Sequence, residues 1–280
     1  MSLIDVILNL AGMLLWLSWR SIRVTPVAMA PAMSLLSTLK RAETAKSSRW
    51  TPLIGLLVLL AARAALYWHI GSAVHWMATL QLGAITLLFR SDYFGRMLLF
   101  SALSFGQVLA VFYLWLFLLS ALNKKGQESN PILKLIRLHL GWLDRMPTAG
   151  KFLAPLCGGA LIWFFLNPLL AQAGILPPSQ SSVQLWQQAL VLGASAYLAW
   201  KYAIIALLLL HLLNSYVYLG NYSFWTFINT TARRVLGVLD WLPLRLGKVD
   251  FAPLIVVAVV FLAAELGSRG LTQLYQRLPL

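Results

Sequence analysis

The sequence predicts an all-α, polytopic membrane protein of about six transmembrane helices, built from repeated helix–amphipathic helix–helix hairpins. Three observations carry that prediction. Hydrophobic residues fill 60% of the chain against 11% charged, at a mean hydropathy of +0.77, which lies outside the range of soluble globular proteins. Several apolar runs approach the ~20 residues that a ~30 Å hydrocarbon core demands of a spanning helix. Finally, two basic connectors far apart in the chain share one motif.

In order, Leu3 to Trp19 is the first candidate span, short enough that it could equally lie in the membrane interface. It carries Asp5 rather than a basic leader and no small-residue cleavage site follows, so it reads as retained rather than as a cleaved signal peptide. A basic connector with Pro26 and Pro31 leads to the second span, Pro52 to Ile70, where proline suits the first helical turn because its missing N–H has no partner there anyway. The stretch 74–90 is ambiguous: apolar but short, holding His75 and Gln81, it reads as half-inserted or packed on the outer side of the bundle. Met97 to Leu122 and Pro155 to Leu170 are the third and fourth spans. The fifth run, Leu185 to Tyr218, would stretch roughly 50 Å as one helix at ~1.5 Å per residue, so its first turns should project or tilt. Pro253 to Leu266 is the last span, and Asp250 reads as its N-terminal cap.

Charge sets orientation. The net charge is +14, from 22 Lys+Arg against 8 Asp+Glu. Such a balance would suit nucleic acid, but the cations cluster in connectors beside apolar runs, as topology signals do, so no nucleic-acid partner is expected. Connectors 20–49, 124–151 and 233–248 belong on the cytoplasmic side and the uncharged 174–184 link outside. Six spans satisfy this with both termini outside, provided 74–90 does not cross. The expected location is a bacterial inner (cytoplasmic) membrane, multi-pass.

The repeat is read from Leu140-Gly141-Trp142-Leu143-Asp144-Arg145-Met146-Pro147 against Leu236-Gly237-Val238-Leu239-Asp240-Trp241-Leu242-Pro243, identical at five of eight positions, with Arg137 matching Arg233. Ala154-Pro155-Leu156 answers Ala252-Pro253-Leu254. Leu82-Gly83-Ala84 also echoes Leu192-Gly193-Ala194, with Trp76 and Trp186 in matching places. The expected organisation is therefore an N-terminal membrane region, 1–95, that carries a decayed copy, followed by hairpins at 96–173 and 185–270.

Each connector reads as one amphipathic helix. At 100° per residue, Lys134, Arg137, Gly141, Asp144 and Arg145 share a face across 132–146; Asn229, Thr230, Arg233, Arg234, Gly237 and Asp240 share one across 224–242. A basic face opposite Trp, Phe and Leu suits an anionic membrane surface, and it equally suits packing on the bundle. Lys134, Arg137, Arg145, Arg233, Arg234, Arg245 and Lys248 are the candidate lipid or partner contacts. Asp144 and Asp240 are expected to pair with Arg145 or Lys151 and with Arg245 or Lys248.

The second copy resembles the YggT (YlmG) family of integral membrane proteins, which carry two such hairpins. Thr230, Pro243, Gly247, Asp250, Pro253 and Leu254 match its pattern, and the first copy keeps Asn130-Pro131, Pro147, Gly150 and Pro155. Lys248 stands where the family has a second glycine and Ala252 where it has serine; residues before about 97 lie outside the resemblance. The resemblance implies a non-enzymatic role in membrane or osmotic stress homeostasis or in assembly of membrane complexes. Its partners would be the bilayer, anionic lipid head groups and other membrane proteins, with self-association compatible.

The rival expectation is an ion or small-solute channel or transporter with a path lined by Arg63, Lys201 and Glu265; His211 is a further polar group inside a span. Arg63–Glu265 and Lys201–Glu265 are the pairs that topology permits. A membrane enzyme is a weaker third, because no nucleophile elbow, phosphate loop or paired carboxylates stand out. His69, His75, His139 and His211 have no metal-ligand spacing and Cys157 is the lone cysteine, so neither metal, cofactor nor disulfide is expected. The tryptophans, Trp142 and Trp241 among them, read as interface anchors.

Overall fold

The structure is a computed structural model. It describes residues 3–24, 50–74, 76–123, 130–177, 181–217, 220, 222–237, 245–246 and 249–278. Asp240, Trp241, Pro243, Lys248 and His75 lie outside the described residues.

Among the described residues the fold is helical, and six helices or helical runs are long and apolar enough to cross a membrane. The helices are α1 (Leu3–Val24), α2 (Thr51–Val74), α3 (Phe94–Leu122), α4 (Pro131–Leu140), α5 (Thr148–Gln172), α6 (Ser182–Ser195), α7 (Trp200–Tyr216), α8 (Ser223–Leu236) and α9 (Ala252–Arg277). Two small hairpins complete it: β1 (Met77–Leu82) with β2 (Ile85–Arg90), and β3 (Arg245–Leu246) antiparallel to β4 (Val249–Asp250).

The chain divides into two compact units, residues 1–80 with 88–109 and residues 81–87 with 110–280. In the first, α1 and α2 run antiparallel. Asp5 and Asn9 reach Arg63, a Cβ on Gly12 would meet Leu56, and one on Gly55 would meet Leu15, so each step forward along α1 is a step back along α2. The first half of α3 packs on this pair. A Cβ on Gly12 would stand 2.9 Å from the Phe105 ring, and Ser101 Oγ donates to Leu60 O at 2.9 Å.

The ambiguous 74–90 stretch forms a β-hairpin over residues 77–90. Alternation decides it: Ala78 and Leu80, then Ile85, Leu87 and Phe89, are buried, while Met77, Thr79, Thr86, Leu88 and Arg90 point away. Gly83 takes φ +58° in the two-residue turn, where a side chain would be strained. The likeness of 82–84 to 192–194 therefore joins a strand turn to a helix, and no common local structure stands behind it.

In the second unit α5 and α6 pack backbone to backbone. A Cβ on Gly193 would stand 2.4 Å from Leu156 O, and one on Gly159 would stand 2.9 Å from Gly193 Cα. Without a hydrophobic force between helices in lipid, such small residues let dispersion act at close range. The interface also buries Asn167, whose amide donates to Gln188 Oε1 at 3.4 Å. The long fifth run is two helices joined by a 3-10 turn, Ala196–Ala199, rather than one uniform helix. Reciprocal tryptophans tie that junction to α3: Trp115 Nε1 donates to Ala199 O (2.9 Å) and Trp200 Nε1 to Leu114 O (3.0 Å). These tryptophans join helices and Trp163 is buried, whereas Trp142 is 70% exposed.

Two helix starts differ from expectation. α5 begins at Thr148, so Pro155 lies inside it, buried, rather than at its entry. Proline there disrupts the helical hydrogen bonding of the preceding turn, and Tyr197 donates to Phe152 O within that turn (2.5 Å). α9 begins at Ala252 with Pro253 in its first turn, so the cap position falls on Phe251 while Asp250 lies in β4.

Candidate functional site

The site grows from α4. Asn130 caps it, its side chain accepting from Ile132 N at 3.0 Å, with Pro131 in the first turn. Leu133, Ile136 and Leu140 form one buried stripe and pack with Leu116 of α3 and with Phe227 and Ile228 of α8. The two amphipathic helices thus rest on each other and start side by side, Asn130 Nδ2 donating to Ser223 O at 3.3 Å.

At Gly141 the helical phase stops. Gly141 adopts φ +59° and its N–H returns to Arg137 O, ending α4; a 3-10 turn, Gly141–Arg145, follows. The single helical face expected across 132–146 is therefore split. Lys134 and Arg145 remain exposed, while Arg137 and Asp144 turn toward a cavity of about 160 Å³ between α3, α4 and the first turn of α5.

Asp144 pairs there with Lys151, as one of the two expected alternatives, and not with Arg145. Lys151 is 3% exposed; its Nζ donates to Asp144 Oδ1 at 2.9 Å and to Ser120 Oγ at 2.6 Å, and Ser120 donates onward to Asp144. Arg137 Nε stands 3.6 Å from Asp144 Oδ2. Burial pushes the Asp144 carboxyl up, but the Ser120 hydroxyl, the Lys151 ammonium and Arg137 outweigh it, and the group sits below its ordinary value.

A serine beside a buried lysine can be a nucleophile and its base, but only if the lysine is neutral. Here Lys151 is a donor to both neighbours and Ser120 gives its proton to a carboxylate. The arrangement ties the end of α3, the 3-10 turn and the start of α5 together.

Beside it, α8 is fastened to the end of α3. Arg234 Nη1 donates to Leu122 O (2.7 Å) and Asn123 Oδ1 (2.9 Å), where a cation suits the carbonyl end of a helix. Asn123 Nδ2 donates to Thr231 Oγ1 at 3.0 Å. Arg233 is exposed, so adjacent arginines on one expected face have opposite fates. His211 Nδ1 donates to Asn229 Oδ1 at 2.8 Å, joining α7 to α8.

The intramembrane cations find other partners than expected. Arg63, 1% exposed, is held by Asp5 Oδ1 (2.5 Å), Asn9 Oδ1 (2.8 Å) and Ser104 Oγ (3.0 Å). Tyr67 also donates to Asp5, and the Tyr67 and Phe100 rings flank the guanidinium at 5.5 and 5.3 Å. Glu265 pairs with Arg269 one turn away at 2.9 Å on an exposed face, and Lys201 Nζ lies 4.9 Å from the Tyr202 ring centre. Among the described residues no three His, Cys, Asp or Glu side chains gather as a metal would require. Sequence reading missed Asp5, Asn9, Tyr67, Ser104, Ser120 and Asn123. The spacing of Asp5 with Asn9 and of Arg63 with Tyr67, each four apart, is the sequence signal for the first three.

No family model, curated protein or solved structure matches this chain.

Proposed function

We propose that this chain is a non-catalytic multi-pass membrane protein of the YggT type that presents a cationic platform at the cytoplasmic face of a bacterial inner membrane. The platform receives anionic lipid head groups or a membrane-protein partner and serves membrane homeostasis or complex assembly. The observation that carries this reading is the pairing of α4 with α8. Two amphipathic helices bury their apolar stripes on each other and on α3 and are fastened by Lys151 and Arg234, yet leave Lys134, Arg145 and Arg233 exposed. Helices meant only to pack would have no need of that outward charge, whereas juxtamembrane cations attract an anionic leaflet by about 1 kcal/mol each. The helix–amphipathic helix–helix order of α3–α4–α5 and α7–α8–α9 supports the family resemblance.

The test is flotation of nanodisc-embedded protein with vesicles of phosphatidylglycerol and phosphatidylcholine. Changing Lys134, Arg145 and Arg233 together to glutamine should weaken co-flotation severalfold at low salt, and high salt should erase the difference. Equal binding by both proteins at low salt would sink the platform.

A further inference from the structure

The cavity beside Lys151 has a composition that this tie alone does not explain. Ser120, Asn123, Arg137, Asp144 and Lys151 provide its polar wall, and α4 supplies an apolar floor from Leu133 and Ile136. Two cations face one carboxylate, a local charge of +1. Asp144 Oδ1 is already taken by Ser120 and Lys151. Arg137, at 3.6 Å, stands beyond hydrogen-bond reach of the same carboxylate, so its planar fork of N–H donors is not consumed there. Lys151 uses two of its three N–H donors on Ser120 and Asp144. At about 160 Å³ the space matches cavities of about 150 Å³ that elsewhere admit benzene-sized ligands.

We infer that this cavity seats one phosphate group, gripped by the Arg137 guanidinium and the third N–H of Lys151, since the Ser120 hydroxyl and the Asn123 amide are already spent on Asp144, Leu119 and Thr231. A cation would meet two positive charges, and a neutral solute would leave the excess charge unanswered. A phosphate offers several strong acceptors and suits a guanidinium fork. The positive end of α5 lies in the adjacent turn, and Arg234, bound to Asn123, adds a further cation close by. The phosphate belongs either to a lipid head group or to the free ion. The inference deepens the platform reading and rests on the same cytoplasmic surface.

The experiment uses the full chain in detergent, titrated with short-chain phosphatidylglycerol (read by native mass spectrometry) and separately with inorganic phosphate (read by calorimetry). Arg137→Gln should lower affinity at least tenfold and keep doing so at high salt. Lys134→Gln with Arg145→Gln should act on lipid only, and only at low salt. Because Lys151→Met alone strands Asp144, the neutral pair Lys151→Met with Asp144→Asn is the second variant; it should lose the ligand while the unfolding temperature shows that it folds. Saturable phosphate binding that competes with lipid assigns the free ion, and lipid binding indifferent to excess phosphate assigns the head group. If Arg137→Gln does no more than Lys134→Gln with Arg145→Gln, the cavity is not the seat and the platform stands. If neither ligand binds the unaltered protein, the inference is wrong outright.

Discussion

The Arg63 guanidinium and the Asp5 carboxylate meet at 2.5 Å, both nearly free of solvent, fifty-eight residues apart in the chain. That pair fastens α1 to α2, and Ser104 of α3 completes it. Breaking a buried pair costs about 3–5 kcal/mol because one charge is left uncompensated, whereas replacing both partners by apolar groups is often close to neutral. Asp5→Asn is expected to destabilise by that order, and Asp5→Leu with Arg63→Met by much less. Unfolding midpoints in detergent decide it, and an Asp5→Asn midpoint equal to that of the unaltered protein would show that the pair carries no weight.

The α5–α6 contact makes a sharper comparison between two glycines. A methyl on Gly193 would stand 2.4 Å from Leu156 O, while one on Gly158 meets nothing within 4 Å. Gly193→Ala should cost about 1–3 kcal/mol through forced separation of the helices. Gly158→Ala should be neutral or gain up to ~1 kcal/mol of helix propensity. Thermal melts of the two variants should fall on opposite sides of, or at, the parent value.

Acid should loosen the cavity late. Asp144 titrates below its ordinary value of 3.8 in the folded protein, so its contribution is complete above that value and is lost as pH falls through the lower, folded one. The unfolding temperature should carry no contribution from Asp144 titration between pH 7 and pH 5, and this site's loss should appear only below about pH 4. Asp144→Asn should lower stability at pH 7 and remove that acid-dependent component. An Asp144-dependent fall centred near pH 6 would contradict the geometry.

Arg233 and Arg234 should separate cleanly. Arg234→Gln removes charge-assisted bonds to Leu122 O and Asn123, worth about 1.5–3 kcal/mol. Arg233→Gln should leave stability within ~0.5 kcal/mol and show its effect in low-salt vesicle binding. Urea or SDS unfolding measures the first, flotation the second.

Lys201 and Glu265 are expected to be dispensable for any ion path. Glu265 is spent on an exposed pair with Arg269, a type worth about 0.3–0.5 kcal/mol. Proteoliposomes bearing Lys201→Leu and Glu265→Gln should show the same ion flux as those with the unaltered protein. A flux present in the parent and abolished by these changes would restore the channel reading.

What the sequence determined by itself is the set of spanning segments and the amphipathic pair between them. Hydrocarbon leaves a backbone few options, so length and hydropathy suffice to place a helix, and period suffices to find its apolar stripe. The hairpin too has a sequence signature, since Ala78, Leu80, Ile85, Leu87 and Phe89 alternate about Gly83. Tertiary structure alone decided the partners. Arg63 went to Asp5 rather than Glu265, Asp144 to Lys151 rather than Arg145, and Arg234 turned inward while Arg233 did not. The physical reason is range: a buried charge is satisfied only by a group within a few ångströms. Which groups come that close depends on helix packing and on one left-handed glycine, Gly141, that rotates Asp144 out of the helical phase.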